Sequence, residues 1–130
     1  PGGFGVAKNF CDFAFKGAEM TVKDSVKAAI LAMHDLKKPL GFMCISPVLA
    51  ARLISGATVT VGSASEASQV IESWGAVHQE ATVDQIVIDD LNNLVTTPAY
   101  MCEASISDIE KGISSLVETV LSWIPVASTS

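Results

Sequence analysis

The stretch Leu40-Gly-Phe-Met-Cys-Ile-Ser-Pro47 decides the fold that we predict for this sequence. Its first six residues form a continuous apolar run of strand length, which is typical of a strand buried on both faces of a parallel sheet. Pro47 suits the first turn of a helix, because its φ is fixed near the helical value and its missing N–H needs no partner there. We therefore predict a buried strand that leads directly into a helix.

The chain on either side alternates between helical and strand patterns. Apolar residues at helical spacing predict helices over residues 6–16, 21–37, 47–53, 65–75 and 106–124. Alternating and β-branched residues predict strands at 57–61, 85–88 and 94–97, the last two joined as a hairpin by an Asp/Asn-rich turn. Thr21 with Asp24, and Ser63 or Ser65, are the expected helix caps. Strands alternating with amphipathic helices predict an α/β fold with a mostly parallel sheet.

Composition restricts the classes of protein that remain. The 130 residues fit one domain, 49% of them are apolar, and only 17% are charged. The net charge is −6 with eight scattered basic residues, so we expect no nucleic-acid partner. Apolar runs fall far short of the ~18 residues that span a bilayer, so we expect no membrane partner. The apolar residues are therefore expected to lie in a core or a subunit interface.

The sequence offers no motif for a cofactor. Three cysteines without a C-x-x-C pair argue against a disulfide framework and against a thiolate zinc site. A P-loop, a dinucleotide-binding G-x-G-x-x-G after a strand, and H-E-x-x-H are all missing. We therefore predict a protein that works without a cofactor or metal.

Cys44 is the leading candidate nucleophile. It falls where the predicted strand turns into the predicted helix, which is the arrangement of a nucleophile elbow. The positive end of the following helix would favour the thiolate form. The alternative is a buried structural cysteine, since free cysteine is among the most buried residue types.

Two further candidate groups are weaker. Backbone N–H groups of Gly2 and Gly3, together with that of Ile45, could stabilise an oxyanion, although a Gly-Gly pair also suits a plain turn. His78 follows a helix, where loops of α/β sheets often carry active-site residues. A structural or surface role is nevertheless favoured by the sequence alone, because no positioned partner for the imidazole is evident. His34 is expected on a solvated helix edge, and Asp89 and Asp90 are expected to be turn residues.

Three segments together resemble one known family. They are Pro1-Gly-Gly-Phe-Gly-Val-Ala-Lys-Asn9, Lys38-Pro-Leu-Gly-Phe-Met-Cys-Ile-Ser-Pro47 and Val95-Thr-Thr-Pro-Ala-Tyr-Met101, and Gly75-Ala-Val-His78 is a lesser fourth. In this order they resemble the class I glutamine amidotransferase-like branch of the ThiJ/PfpI superfamily. That branch includes the bacterial enhancing-lycopene-biosynthesis (sigma cross-reacting) proteins and their mitochondrial counterparts in animals. The resemblance extends from Pro1 to about Ile124.

The resemblance implies a flavodoxin-like three-layer sandwich over residues 1–130, with Cys44 as the elbow cysteine and Gly2 and Gly3 at the oxyanion position. Family members begin with an earlier strand and helix that place an acidic residue beside the cysteine. We therefore expect this sequence to be the C-terminal part of the fold, incomplete at its N-terminus.

Two departures narrow the activity that the resemblance implies. Protease-like and chaperone-like members carry His directly after the cysteine, whereas this chain has Ile45. True glutamine amidotransferases carry His and Glu after a late strand, whereas this chain has Thr96-Thr-Pro-Ala-Tyr100. Glutamine hydrolysis is therefore not expected.

The leading hypothesis is a glyoxalase-like or deglycase-like enzyme that uses Cys44 on a small carbonyl substrate such as glyoxal or methylglyoxal. His78 is a candidate assistant. The alternative is a non-enzymatic, redox-responsive or metabolite-binding member of the fold. A homodimer is expected in either case. Residues 47–51 and 101–103 resemble the animal members, which favours a mitochondrial over a cytoplasmic localisation.

Overall fold

A computed structural model of the chain describes residues 17–102 and 104–124. After a short 3-10 turn at Gly17–Glu19, the elements are α1 (Asp24–Asp35), β1 (Leu40–Met43), α2 (Pro47–Leu53), β2 (Thr58–Val59), α3 (Glu66–Ser73), β3 (Val77–His78), β4 (Val87–Asp89), β5 (Leu94–Thr97), a 3-10 turn (Ala99–Met101) and α4 (Ile106–Trp123). The helix predicted over residues 6–16 lies outside the described residues.

The strands form a three-stranded sheet and a separate pair. In the order β1-β5-β4, β5 is parallel to β1 and antiparallel to β4, and β2 is parallel to β3. The hairpin predicted around residues 89–93 is confirmed, because Asp89 pairs with Leu94 at its start. The α/β class with a mostly parallel arrangement is therefore confirmed.

The prediction that residues 40–45 form a strand buried on both faces was wrong in two respects. The strand ends at Met43, and Gly41 within it is exposed. In the described part of the chain β1 has a hydrogen-bonded neighbour on one side, β5. The strand that is buried at all four positions is β5, since it lies between two others.

Two apolar clusters cover opposite faces of the sheet. Successive strand residues point to opposite faces, and Phe42 belongs to a cluster with Val48 of α2 and Ile71 of α3. Gly41 instead faces α4, where an added Cβ would lie 2.7 Å from the Leu116 Cδ2 atom. Helices therefore lie on both sides of the sheet, which gives the three layers that the resemblance implied.

The two predicted helix caps had different outcomes. The Ser65 hydroxyl accepts a hydrogen bond from the Ser68 amide, and the Ser68 hydroxyl accepts one from the Ser65 amide, so α3 begins with a capping box. The cap predicted at Thr21 was wrong, because α1 begins at Asp24 with Lys23 in the N-cap position and no side-chain cap.

Candidate functional site at the carboxyl ends of β1 and β5

Cys44 lies between the end of β1 and the start of α2, in a left-handed backbone conformation with φ 62°. A residue other than glycine pays roughly 1–2 kcal/mol for this conformation. The Cys44 amide donates a 3.1 Å hydrogen bond to the Thr97 carbonyl of β5, which prolongs the strand pairing by one residue. The position of Cys44 is therefore set by the neighbouring strand as well as by its own turn.

Ser46 closes the turn from the inside. Its side chain is fully buried, and its hydroxyl accepts a 3.0 Å hydrogen bond from the Met43 amide and donates a 2.8 Å bond to the Met43 carbonyl. The Ser46 amide also donates to that carbonyl, at 3.1 Å. These three bonds hold the turn around Cys44 in one conformation. Sequence reasoning missed this role, although a serine before Pro47 is a recognisable local signal.

The Cys44 side chain lies in an apolar environment. It is 8% exposed and forms a buried cluster with Ala99 and Ile109, against which Met43 and Val83 also pack. Burial in such a cluster is also what a structural cysteine shows. Both interpretations of Cys44 given by the sequence therefore stay open at this level of geometry.

A second left-handed residue follows the neighbouring strand. Ala99, fully buried, has φ 46° and begins the 3-10 turn after β5. Because β1 and β5 are parallel, Cys44 and Ala99 lie at the same edge of the sheet. Two residues with a strained backbone at one sheet edge are a feature often found at functional sites. Nothing in the local sequence of Ala99 indicates a left-handed conformation.

The turn after β2 reaches the same edge. The Thr60 amide donates a 3.0 Å hydrogen bond to the Thr96 hydroxyl of β5. A Cβ placed on Gly62 would lie 3.3 Å from the Cys102 Sγ atom and 3.5 Å from Pro98. The site therefore combines segments that follow β1, β2 and β5, which are distant in the sequence.

His78 lies in strand β3, not in the loop that the sequence suggested. Its Nε2 atom accepts a 3.2 Å hydrogen bond from the Val61 amide, next to the turn after β2. Burial lowers the pKa of the imidazole, and the carboxylates of Glu72 and Glu80 partly oppose this shift. The contact joins His78 to the backbone after β2, and its assignment as a catalytic assistant stays a prediction.

The described residues do not test the predicted oxyanion site. Gly2 and Gly3 lie outside the described residues. Ile45 is half-buried and packs against the cluster of Phe42 and Val48, on the other face from the Cys44 cluster. The oxyanion site formed by Gly2, Gly3 and Ile45 therefore stays a prediction.

Cys102 is the other free cysteine in the described part of the chain. It is half-buried, and desolvation raises the pKa of its thiol. A raised pKa leaves less thiolate at neutral pH, and the thiolate is the nucleophile. Cys102 is therefore a suitable internal control for the reactivity of Cys44.

The opposite edge of the sheet contains a polar network that sequence reasoning missed. Asp89, predicted as a turn residue, belongs to β4 and is only 7% exposed. Its carboxylate accepts hydrogen bonds from the Thr58 amide at 2.8 Å and from the backbone and side-chain N–H groups of Asn92 at 3.2 and 2.9 Å. The Asp89-to-Asn92 spacing is a local turn signal, whereas the bond to Thr58 depends on the tertiary fold.

His34 joins this network instead of lying on a solvated edge. Its Nε2 atom is 3.1 Å from the Asn92 Oδ1 atom, and the side chain is half-buried. The expectation of a solvated histidine was wrong because the helix face that carries it packs beside the β4–β5 turn. The network ties α1 to the sheet.

The described residues were also examined for clusters of metal ligands and for helices that could span a membrane. Over residues 17–102 and 104–124, no three His, Cys, Asp or Glu side chains lie together as metal ligands would. Over the same ranges, no helix has both the length and the apolar character needed to cross a bilayer.

Comparison with known structures defines the class of this fold as an amidotransferase-like α/β domain. The chain superimposes with a TM-score of 0.82 on the crystal structure of an isoprenoid biosynthesis protein with an amidotransferase-like domain from Ehrlichia chaffeensis. The two are 31% identical, and the match covers 95% of this chain and 57% of that one. The fold predicted from the resemblance is thereby confirmed.

Curated relatives then identify the family. The chain is 40% identical to the mitochondrial ES1 protein homolog of Rattus norvegicus and 39% identical to the mitochondrial glutamine amidotransferase-like class 1 domain-containing protein 3 of Homo sapiens, over 130 residues in each case. It is 27% identical to the mitochondrial ES1 protein of Danio rerio. This chain belongs to that family of ES1 and glutamine amidotransferase-like class 1 proteins.

The extent of these matches is also informative. Each covers 93% of this chain, and the chain spans about half the length of the relatives, between 48% and 50%. No protein-family model matches the sequence.

All three relatives are named as mitochondrial proteins, which confirms the predicted mitochondrial localisation.

Proposed function

We propose that the protein containing this chain converts small reactive dicarbonyls, such as glyoxal and methylglyoxal, in a cofactor-independent reaction that uses Cys44. The observation that supports it is the left-handed conformation of Cys44 at the strand-to-helix turn, with φ 62°. Such a turn presents a side chain at the carboxyl edge of a parallel sheet, where ligands of α/β proteins bind. The hydrogen bonds between Ser46 and Met43, and from the Cys44 amide to the Thr97 carbonyl, hold the Cys44 backbone in this conformation.

The proposed reaction begins with addition of the thiol across the aldehyde. The Cys44 sulfur forms a bond to the aldehyde carbon, the π electron pair moves to oxygen, and a proton completes the hemithioacetal. Transfer of the former aldehyde hydrogen to the adjacent carbonyl carbon, as a proton through an enediol, gives the thioester of a 2-hydroxy acid. Water then cleaves the thioester and returns the thiol. The sum adds one water and needs no oxidant or reductant.

Other groups in the proposal stabilise charge and move protons. Backbone N–H groups of Gly3 and Ile45 are the proposed donors to the oxyanion, because such donors stabilise charge as it develops. The resemblance assigns proton transfer to an acidic residue from an earlier segment of the family fold. The apolar neighbours Ala99 and Ile109 exclude water from the thiol, which strengthens electrostatic interactions there.

Matched cysteine variants of the full protein test this proposal. We expect Cys44→Ser to lower the rate of methylglyoxal loss at least ~100-fold, because a hydroxyl is a far weaker nucleophile than a thiolate. Cys102→Ser is the control and should retain most of the activity. Unchanged turnover by the Cys44→Ser variant would show that the reaction does not pass through this thiol.

A second candidate is a non-enzymatic, redox-responsive or metabolite-binding protein that associates with a second copy. It is favoured by apolar residues exposed on α4 and directly after it, namely Ile106 (75%), Leu121 (60%), Ile124 (46%) and Val117 (44%). This candidate predicts that mild peroxide oxidises Cys44 in preference to Cys11 and Cys102, with no steady dicarbonyl turnover. Peptide mass spectrometry and sedimentation of the same sample measure oxidation and dimer formation.

A further inference from the structure

The hydrogen bond between Val61 and His78 joins the segment after β2 to the last residue of β3. The Val61 backbone amide donates, and the His78 Nε2 atom accepts at 3.2 Å. An imidazole nitrogen accepts a hydrogen bond only when it carries no proton, so the ring is neutral with its proton on Nδ1. Addition of a proton to Nε2 would place two N–H groups against each other and remove this bond.

Loss of this bond would be costly because the Val61 amide is buried. Val61 is only 2% exposed, so its amide has little access to solvent as a substitute acceptor. The charged groups acting on the ring are Glu72 of α3 and Glu80, which follows β3, and both favour the protonated form. Desolvation opposes them and is the larger effect, so the pKa of His78 is lowered.

The turn that begins at Val61 covers part of the candidate site. Gly62 lies against Pro98, Met101 and the Cys102 sulfur, as the contacts of an added Cβ show. The same turn ends at Ser65, the cap of α3. The position of this turn therefore affects access to the segment after β5, and it also affects the first turn of α3.

We propose that His78 is a proton-sensitive latch: the neutral ring holds the Val61 amide and helps to keep the turn of residues 61–65 over Cys102, and protonation of Nε2 loosens this turn at Val61. The proton comes from solvent. The Gly62 amide still donates to the Thr60 hydroxyl, and the Gly62 carbonyl still accepts from the Ala81 amide, so the turn is loosened and not detached. The proposal concerns a backbone amide and Cys102, so it does not depend on the dicarbonyl chemistry proposed for Cys44.

Nuclear magnetic resonance of the unmodified protein provides the direct test. We expect the Val61 amide resonance to shift with the same midpoint as the His78 ring nitrogens, and its hydrogen exchange, corrected for intrinsic pH dependence, to rise about five- to tenfold on protonation. A Val61 amide that does not respond to the His78 titration would overturn the proposal.

Two variants separate loss of the acceptor from loss of titration. His78→Gln keeps an acceptor that does not titrate, whereas His78→Leu removes it. At one fixed pH above the His78 pKa, we expect the Leu variant to react about five times faster than wild type with a thiol reagent at Cys102, and the Gln variant to match wild type. Equal rates in all three proteins would contradict the latch.

The dependence of stability on pH gives a third measurement. The His78 pKa is lower in the folded protein than its ordinary value of 6.5, so the contribution to stability is fully present above that value. It is lost as the pH falls through the lower, folded value. We expect the Tm of wild type to fall relative to that of His78→Gln between pH 7 and pH 5, and a constant difference would count against the latch.

Discussion

The two edges of the three-stranded sheet each contain a pair of non-glycine residues with positive φ, but in contrasting surroundings. At the edge where β1 and β5 end, Cys44 (φ 62°) and Ala99 (φ 46°) are buried among apolar side chains. At the edge where these strands begin, Lys37 (φ 57°) and Asn93 (φ 55°) lie in turns at the surface or half-buried. The same backbone conformation therefore has two different origins.

Residue type accounts for the conformation of Asn93, because asparagine tolerates the left-handed region. Its side-chain amide also donates a 3.1 Å hydrogen bond to the Lys37 carbonyl, which is 56 residues away in the sequence. Cysteine and alanine have no such local compensation. Their conformation is instead maintained by contacts with other elements, including the Thr97 carbonyl that accepts from the Cys44 amide. Strain that is held by tertiary contacts is the kind expected at a functional site.

The largest effect is expected where α4 meets the edge with Cys44. Gly112→Ala would place a Cβ 2.2 Å from the Val83 carbonyl oxygen and 2.9 Å from the Thr97 hydroxyl. Because a backbone oxygen cannot rotate away, we expect about 3 kcal/mol of destabilisation. Urea unfolding followed by circular dichroism measures it.

Gly41→Ala is the matched control for this prediction. Its added Cβ meets the Leu116 Cδ2 atom at 2.7 Å, the end of a flexible side chain that can change rotamer. We expect about 1 kcal/mol. If both variants unfolded at the same urea concentration, overlap with the Val83 backbone oxygen would not be more costly than overlap with the Leu116 side chain, which would contradict this prediction.

The next effect is expected at the polar edge. Asp89→Ala leaves the amides of Thr58 and Asn92 without their carboxylate acceptor, so we expect about 2 kcal/mol of destabilisation by the same measurement. Asp90→Ala, at an exposed turn position, should change stability by less than about 0.5 kcal/mol. A small effect at Asp89 would mean that this edge does not depend on its network.

The smallest effect tests the strain itself. Ala99→Gly removes a buried methyl group but also relieves the left-handed backbone, so we expect a net change within about 1 kcal/mol of zero. Ala50→Gly removes an equally buried methyl from α2, where the backbone is helical, and should cost about 2 kcal/mol. Equal losses in thermal unfolding would show that Ala99 is not strained.

Much of the fold could be predicted because its signals are local. The apolar run before Pro47, the serine that caps α3 and the Asp/Asn turn between β4 and β5 each act within a few residues. The strand boundary at Met43 could not be predicted, because hydrophobicity continues through Ile45 while the backbone turns at Cys44. The burial of β5 also depends on neighbours that lie far away in the sequence.

The candidate site shows the same division. Residue types and spacing were sufficient to name Cys44 as a candidate and to assign the α/β class, because a strand-to-helix transition is encoded by consecutive residues. The resemblance of whole segments indicated the family. The partners of that cysteine were not encoded nearby: Thr97, Ala99 and Ile109 come from β5, the turn after it and α4. The contact of His78 with Val61, after β2, likewise depends on the tertiary fold. These contacts arise when parallel strands bring their carboxyl ends to one edge, and chain order alone does not specify which side chains then meet.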